Sequence, residues 1–188
     1  MTRRLLLASF ALAASALAQQ TKPLRAGIIG LDTSHAIAFT TALNTKNPPN
    51  AEGMKVVAAY PTGSPDIKSS TDRVPEYTAQ AKAMGVEIVG SIPELLTKVD
   101  VVFLESNDGR VHLEQIRPCL AAKKPVFIDK PIAASLKDTL AIFAEAKQAG
   151  VPIFCSSSLR FSKQTQEVHN GSIGKVKSAE TFSPAKQE

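Results

Sequence analysis

The chain has 188 residues, of which 44% are hydrophobic and 21% charged, and carries a formal net charge of +5; that is enough for one well-buried domain and scarcely for two. Its lysines and arginines are scattered, and aromatics at 5% offer few stacking platforms, so nucleic acid is not an expected partner. Cys119 and Cys155 lack metal-ligand and paired-motif spacing, so no metal is expected; they read as core residues, with a disulfide as the alternative in an exported chain.

Residues 1–18 place Arg3 and Arg4 before an apolar run from Leu5 to Ala14 and close on Ala16-Leu17-Ala18. This reads as a cleavable export signal, too short to span a bilayer. A soluble mature chain starting near Gln19 is expected, with no stable membrane insertion. It would be periplasmic or extracellular, reached by the twin-arginine or the general secretory route. Without Arg3 and Arg4, 20 basic residues face 17 acidic ones.

Next comes Leu24 to His35, L-R-A-G-I-I-G-L-D-T-S-H. Ala26, Ile28, Ile29 and Leu31 suit a parallel strand covered on both faces, and Gly30 permits a tight turn. A helix starting near Ser34 would aim its free N–H groups at whatever sits above the strand, for which phosphate is the usual occupant. A dinucleotide fingerprint G-x-G-x-x-G aligned on Gly30 finds Asp32 and His35 where its second and third glycines belong. Asp32 should therefore repel a pyrophosphate, or else Asp32 or Ser34 caps the helix and His35 adds a donor.

The helix continues through Ala36, Ile37, Phe39, Thr40 and Leu43 and must stop before Pro48-Pro49. Met54 to Tyr60 reads as the second strand. The acid that would take NAD ribose hydroxyls is replaced by Tyr60-Pro61-Thr62-Gly63-Ser64, a loop that tolerates a 2'-phosphate, with Ser64 and Lys68 as possible contacts. Pro61 to Pro75 reads as loop, and Pro75 as the first residue of a helix carrying Tyr77, Ala81 and Met84 and ending at Gly85. Val86 to Val89 is the third strand, Ser91 and Glu94 form a capping box, and Val99 to Leu104 is the fourth strand. The β-α-β alternation predicts a doubly wound parallel sheet, an α/β Rossmann-like fold whose ligands lie beyond the strand C-termini.

Polar residues gather at those ends. Strand four leads into Glu105-Ser106-Asn107-Asp108-Gly109, and strand five, Pro125 to Ile128, into Asp129-Lys130-Pro131. Lys130 at the mouth of an apolar strand is expected to be partly desolvated and to donate to a substrate hydroxyl or carbonyl. Pro131 holds Lys130 extended and could take a cis bond, Asp129 could orient Lys130 or be solvated, and His112 lies near the same crevice.

These features resemble the glucose-fructose oxidoreductase/inositol dehydrogenase (Gfo/Idh/MocA) family. Asp129-Lys130-Pro131 is similar to its E-K-P motif, and Ser106-Asn107 through His112 to its T-P-N-x-x-H loop. Leu120 to Val126 resembles the approach to strand five, Gly150-Val151-Pro152-Ile153 the sixth strand, and Arg160-Phe161 the start of the following helix. Gly171-Ser172-Ile173-Gly174-Lys175-Val176 is similar to the family's passage into its second domain. The resemblance implies a Rossmann-like NAD(P)-binding domain over 22–155, then a linker helix and the start of a second α/β domain over 156–188, with Val176 to Thr181 as its first strand. It implies NAD or NADP as cofactor, hydride exchange with a sugar or cyclitol, and a homo-oligomer only where a full second domain is present. Lys130 takes the catalytic role, Gly30, Asp32, Ser34, His35, Ser106, Asn107, Asp129 and Pro131 the cofactor contacts, and His112 a substrate contact. The competing readings are a carbohydrate-binding or scaffolding member without cofactor, and an NAD-assisted lyase or glycosidase.

Overall fold

Short aliphatic runs, each followed by a segment with a single apolar face, assemble into parallel β-α units in the computed structural model, which describes residues 22–44 and 53–180. The strands are β1 (Leu24–Ile29), β2 (Met54–Tyr60), β3 (Glu87–Ile88), β4 (Val101–Leu104), β5 (Val126–Ile128) and β6 (Ile153–Cys155). The helices are α1 (Ser34–Asn44), α2 (Lys68–Ala83), α3 (Ile92–Lys98), α4 (His112–Ala121), α5 (Leu136–Ala149) and α6 (Lys163–His169), with a 3-10 turn at Ser158–Phe161 before α6. The sheet order is β3-β2-β1-β4-β5-β6 and all its pairs are parallel. The order reverses between β1 and β4, which opens the crevice of a doubly wound fold above their C-termini.

Because side chains alternate along each strand, the sheet carries a different core on each face. One face sets Ile29, Val102, Leu104, Val126 and Ile128 against Leu95, Ile116, Leu120 and Ile142 of α3, α4 and α5. The other sets Ala26, Ile28, Val56 and Ala59 against Ala36 and Ala81 of α1 and α2. Gly27 belongs to the first face, where a Cβ would come within 2.9 Å of Val99 Cγ1 and 3.1 Å of Leu95 Cγ; its missing side chain lets α3 lie close to the sheet.

The caps follow local chemistry. Ser91 Oγ accepts from the Glu94 N–H, while Glu94 Oε2 accepts from the Gly90 N–H, one residue earlier than in a reciprocal box. Gly150 closes α5 in the left-handed conformation at φ 64°. Two expectations are corrected. Helix α2 begins at Lys68 and runs through Pro75, because the N–H groups of Thr71 and Ser64 already find partners in Ile67 O and Ser70 Oγ and so start the helical turn ahead of the proline. Residues 176–180 form no strand and are exposed, since no neighbouring segment among the described residues offers them a ladder. Thr181 and the 1–18 signal lie outside the described residues.

Candidate functional site

Strand register decides what the crevice is made of. Ile29, Leu104, Ile128 and Cys155 are paired side by side across four strands, so the residues that follow them, Gly30, Glu105, Asp129 and Ser156, form one row along the C-terminal edge. Two positions before Glu105, Asp129 and Ser156 stand Phe103, Phe127 and Phe154, on the same face by strand alternation. Helix α1 spans both rows. Phe39 packs on Phe103 and Phe127 at centroid separations of 5.5 and 5.6 Å, and one helical turn earlier His35 Nδ1 meets Asp129 Oδ2 at 2.8 Å. An aromatic floor therefore lies directly beneath a polar row.

Glu105 is the most perturbed member of that row. Its side chain is 0% exposed, and neither carboxylate oxygen has a hydrogen-bond partner among the described residues. Burial, and then the charge of Asp129, push its pKa up to about 9, with Lys130 opposing. Ser156 Oγ is likewise buried without a partner. Beside these groups lies a cavity of about 230 Å³ lined by His35, Ala38, Phe39, Asp129, Ser156 and Ser158. Glu105 and Ser156 were not assigned from sequence. The signal for both is positional, a polar residue one step past an apolar strand, and it acquires meaning only once the strands are aligned.

Lys130 stands exposed at the mouth of β5 rather than partly desolvated, because the chain turns outward there; its bond to Pro131 is cis. Asp129 is neither solvated nor turned to Lys130. It is 3% exposed and engages His35. His112 is 0% exposed, its Nδ1 and Nε2 held against Ile132 O and Ser106 O at 3.0 and 2.7 Å. It braces the β4 loop and does not face the crevice, which corrects its assignment to substrate. Ser106 is likewise turned inward, donating to Gln115 Oε1 at 2.8 Å.

The other half of the crevice is bridged by protein. Asp32 is 0% exposed; its Oδ1 accepts from the Asn107 N–H at 3.0 Å and its Oδ2 from the Ser70 hydroxyl at 2.7 Å. Burial raises its pKa, and the Ser70 bond holds the shift back. Asp32 thus neither caps α1 nor faces a phosphate: Thr33 is the cap, its Oγ1 accepting from the His35 N–H. Ser64, buried and donating to Asp108 Oδ2, and Lys68, paired with Asp72, are engaged within the protein. Arg110 grips Asp66 and Asp108, so the loops after β2 and β4 are joined across β1. That guanidinium holds Asp108 down to about 2.

A dinucleotide on this fold lays its pyrophosphate over the second fingerprint position, where glycine lets it approach. Here that position is Asp32, fully buried beneath the β2 loop, with its Cβ 3.3 Å from where a Cβ on Gly63 would stand. Gly30, at φ 95°, gives its bare side to Ser106, whose backbone N lies 2.4 Å from where a Cβ would stand. Only Ser34 remains exposed at the amino end of α1. In this arrangement the residues do not fit a pyrophosphate in the usual pose, whereas the polar row over β4, β5 and β6 remains served by its cavity.

The family model described as oxidoreductase family, NAD-binding Rossmann fold (GFO_IDH_MocA), matches residues 24–157. The chain belongs to the Gfo/Idh/MocA family. Among Gfo/Idh/MocA relatives, it is similar to myo-inositol 2-dehydrogenase of Thermotoga maritima, 31% identical over 160 residues that cover 81% of this chain and 42% of that protein. The structure resembles a probable dehydrogenase from Thermotoga maritima, at 30% identity and TM-score 0.60, covering 81% of this chain and 43% of that one. It also resembles scyllo-inositol dehydrogenase from Lactobacillus casei, solved with bound NAD(H) and scyllo-inositol, at 26% identity, TM-score 0.60, 81% of this chain and 43% of that one. The chain spans less than half the length of these relatives.

Proposed function

We propose that this chain forms the nucleotide-domain part of an oxidoreductase acting on a sugar- or cyclitol-like polyol with NAD or NADP as redox partner. The observation that carries the reading is Lys130, exposed immediately past β5 in a D-K-P sequence, beside the buried row of Glu105, Asp129 and Ser156. The similarity to two inositol dehydrogenases supports the substrate class. The lysine offers donor hydrogens to a substrate hydroxyl or carbonyl oxygen and is the group placed to exchange its proton. Asp129 fixes the His35 ring, and Phe39, which lines the cavity, gives a polyol's C–H face an apolar surface.

The bridge over β1 favours a second reading, a family member that keeps the polyol site without a dinucleotide. Fluorescence titration of the full chain with NADH and NADPH separates the two. Binding of either below about 1 mM supports the oxidoreductase, which requires the Asp32 and Arg110 bridge to part. No binding at that concentration, together with saturable binding of myo-inositol, replaces it by the second reading. We further propose that residues 1–18 direct export; mass spectrometry of secreted protein should find a mature start near Gln19, and a start at Met1 would refute this.

A further inference from the structure

We propose that His35, Glu105 and Asp129 form a binding site for a divalent first-row metal ion, of which Zn²⁺ and Mn²⁺ suit the donors best. One ligand atom from each residue can be chosen such that all three lie within 4.8 Å of one another. Bonds of about 2.0–2.2 Å to a common ion require donor separations of roughly 3.0–3.6 Å. His35 Nδ1 and Asp129 Oδ2 lie 2.8 Å apart, so an ion would part them by a few tenths of an ångström while the Glu105 side chain closes in from within 4.8 Å.

Glu105 supplies the independent sign of a ligand. A fully buried carboxylate normally recruits donors, because an unpaired one is among the most costly groups to place in a protein interior. Here both oxygens lack them, while His35 and Asp129 are paired with each other alongside. A dication taking the place of the proton between His35 and Asp129, with the displaced protons, that of Glu105 included, released to solvent, would gain Glu105 as third ligand and balance two carboxylates with one ion. The cation that now acts on Glu105 is Lys130; being exposed, it can swing toward solvent when the ion enters.

Donor chemistry and access narrow the occupant. One imidazole with two carboxylates disfavours Mg²⁺ and Ca²⁺, which prefer all-oxygen shells, and disfavours soft Cu(I). Three protein ligands leave a position open toward the cavity of about 230 Å³, and the unpartnered Ser156 Oγ lines that cavity. A water on the ion would find Ser156 as its hydrogen-bond partner. The His35 side chain is 34% exposed, which gives the ion an entry path. The site stands on these residues alone and does not depend on nucleotide binding.

The test uses the full chain stripped with chelator, dialysed, and titrated calorimetrically with ZnCl₂, MnCl₂ and MgCl₂ in the absence of nucleotide, with Co²⁺ absorption in the visible as a reporter of geometry. One Zn²⁺ or Mn²⁺ per chain is expected, with much weaker Mg²⁺ binding and a raised melting temperature. Glu105→Gln and His35→Gln should each weaken binding by at least about tenfold and abolish the Co²⁺ band, while His169→Gln and Cys155→Ser leave both unchanged. His35 lies at the surface, so His35→Gln keeps the test valid where Glu105→Gln disturbs folding. Absence of Zn²⁺ and Mn²⁺ binding at about 1 mM, or equal affinity in wild type and His35→Gln, would overturn the site.

Discussion

Replacing Asp32 by alanine tests the bridge over β1 directly. The carboxylate satisfies two donors, the Asn107 N–H at 3.0 Å and the Ser70 hydroxyl at 2.7 Å. Each buried donor left unpaired costs about 1–3 kcal/mol. Asn107 is half-buried and recovers part of its bond from water, whereas Ser70 is 0% exposed and cannot. Removing the carboxylate also returns its desolvation cost, the burial that raises the Asp32 pKa. The net expectation is a loss of about 2 kcal/mol. Asp32→Asn should cost less than Asp32→Ala, about 1 kcal/mol, because its carbonyl still accepts from Asn107, while the buried Ser70 hydroxyl proton loses its acceptor. Urea unfolding of the full chain at pH 7, with wild type and both variants compared at equal m-values, reads the difference. Were the Asp32 carboxylate instead pointed at a phosphate site, both variants would match wild type within about 0.5 kcal/mol, and that result would refute the bridge.

Three further outcomes follow from the same geometry. Gly30→Ala should destabilise by roughly 3 kcal/mol or more, since its Cβ would stand 2.4 Å from the Ser106 backbone N at φ 95°; a soluble variant with an unchanged melting curve would contradict this. Asp108, held down to about 2 by Arg110, contributes stability that is complete above its ordinary value near 3.8 and is lost as pH falls through 2. Stability should therefore fall by about 1–2 kcal/mol over that window on this account, and Asp108→Asn should remove that share of the pH dependence, leaving the shares of Asp66, Asp100 and Glu145; a parallel acid profile in the variant would exclude the pair. In a version of the chain that turns over a polyol, Lys130→Ala should reduce kcat by about a hundredfold with little change in nucleotide affinity, and Lys130→Arg should not rescue it; unchanged kcat would remove the lysine from the reaction.

The strand-helix order, the glycine turn and the placement of Asp129-Lys130-Pro131 past β5 were legible in sequence because each rests on local periodicity or a local breaker. Helix α2 was less legible because Pro75 reads as a start signal when viewed alone, and the partners that begin the helix earlier, Ser64 and Ser70, act across a loop. The orientation of Asp32 could not be read at all. Its partners Ser70 and Asn107 lie 38 and 75 positions away, and nothing in the turn itself says whether a carboxylate faces outward or into a neighbouring loop. His112 was misassigned for the same reason: helix position fixes its depth, but the carbonyls that receive its ring come from Ser106 and Ile132. Glu105 and Ser156 gain significance only through parallel register.

That register also bears on how such a domain diversifies. Glu105, Asp129 and Ser156 each follow the last aligned residue of a different strand, so, with Gly30 fixed by its contact with the Ser106 backbone, the row above the aromatic floor can be rewritten one letter at a time without disturbing a ladder hydrogen bond or a core side chain. Insertion of one residue within β4 would be far less forgiving: it would turn the Glu105 carboxylate toward α4 and bring Leu104 up beneath α1, exchanging the two faces of the strand. Substitution is thus the open route to new chemistry at this edge, and changes of length are confined to the loops beyond it.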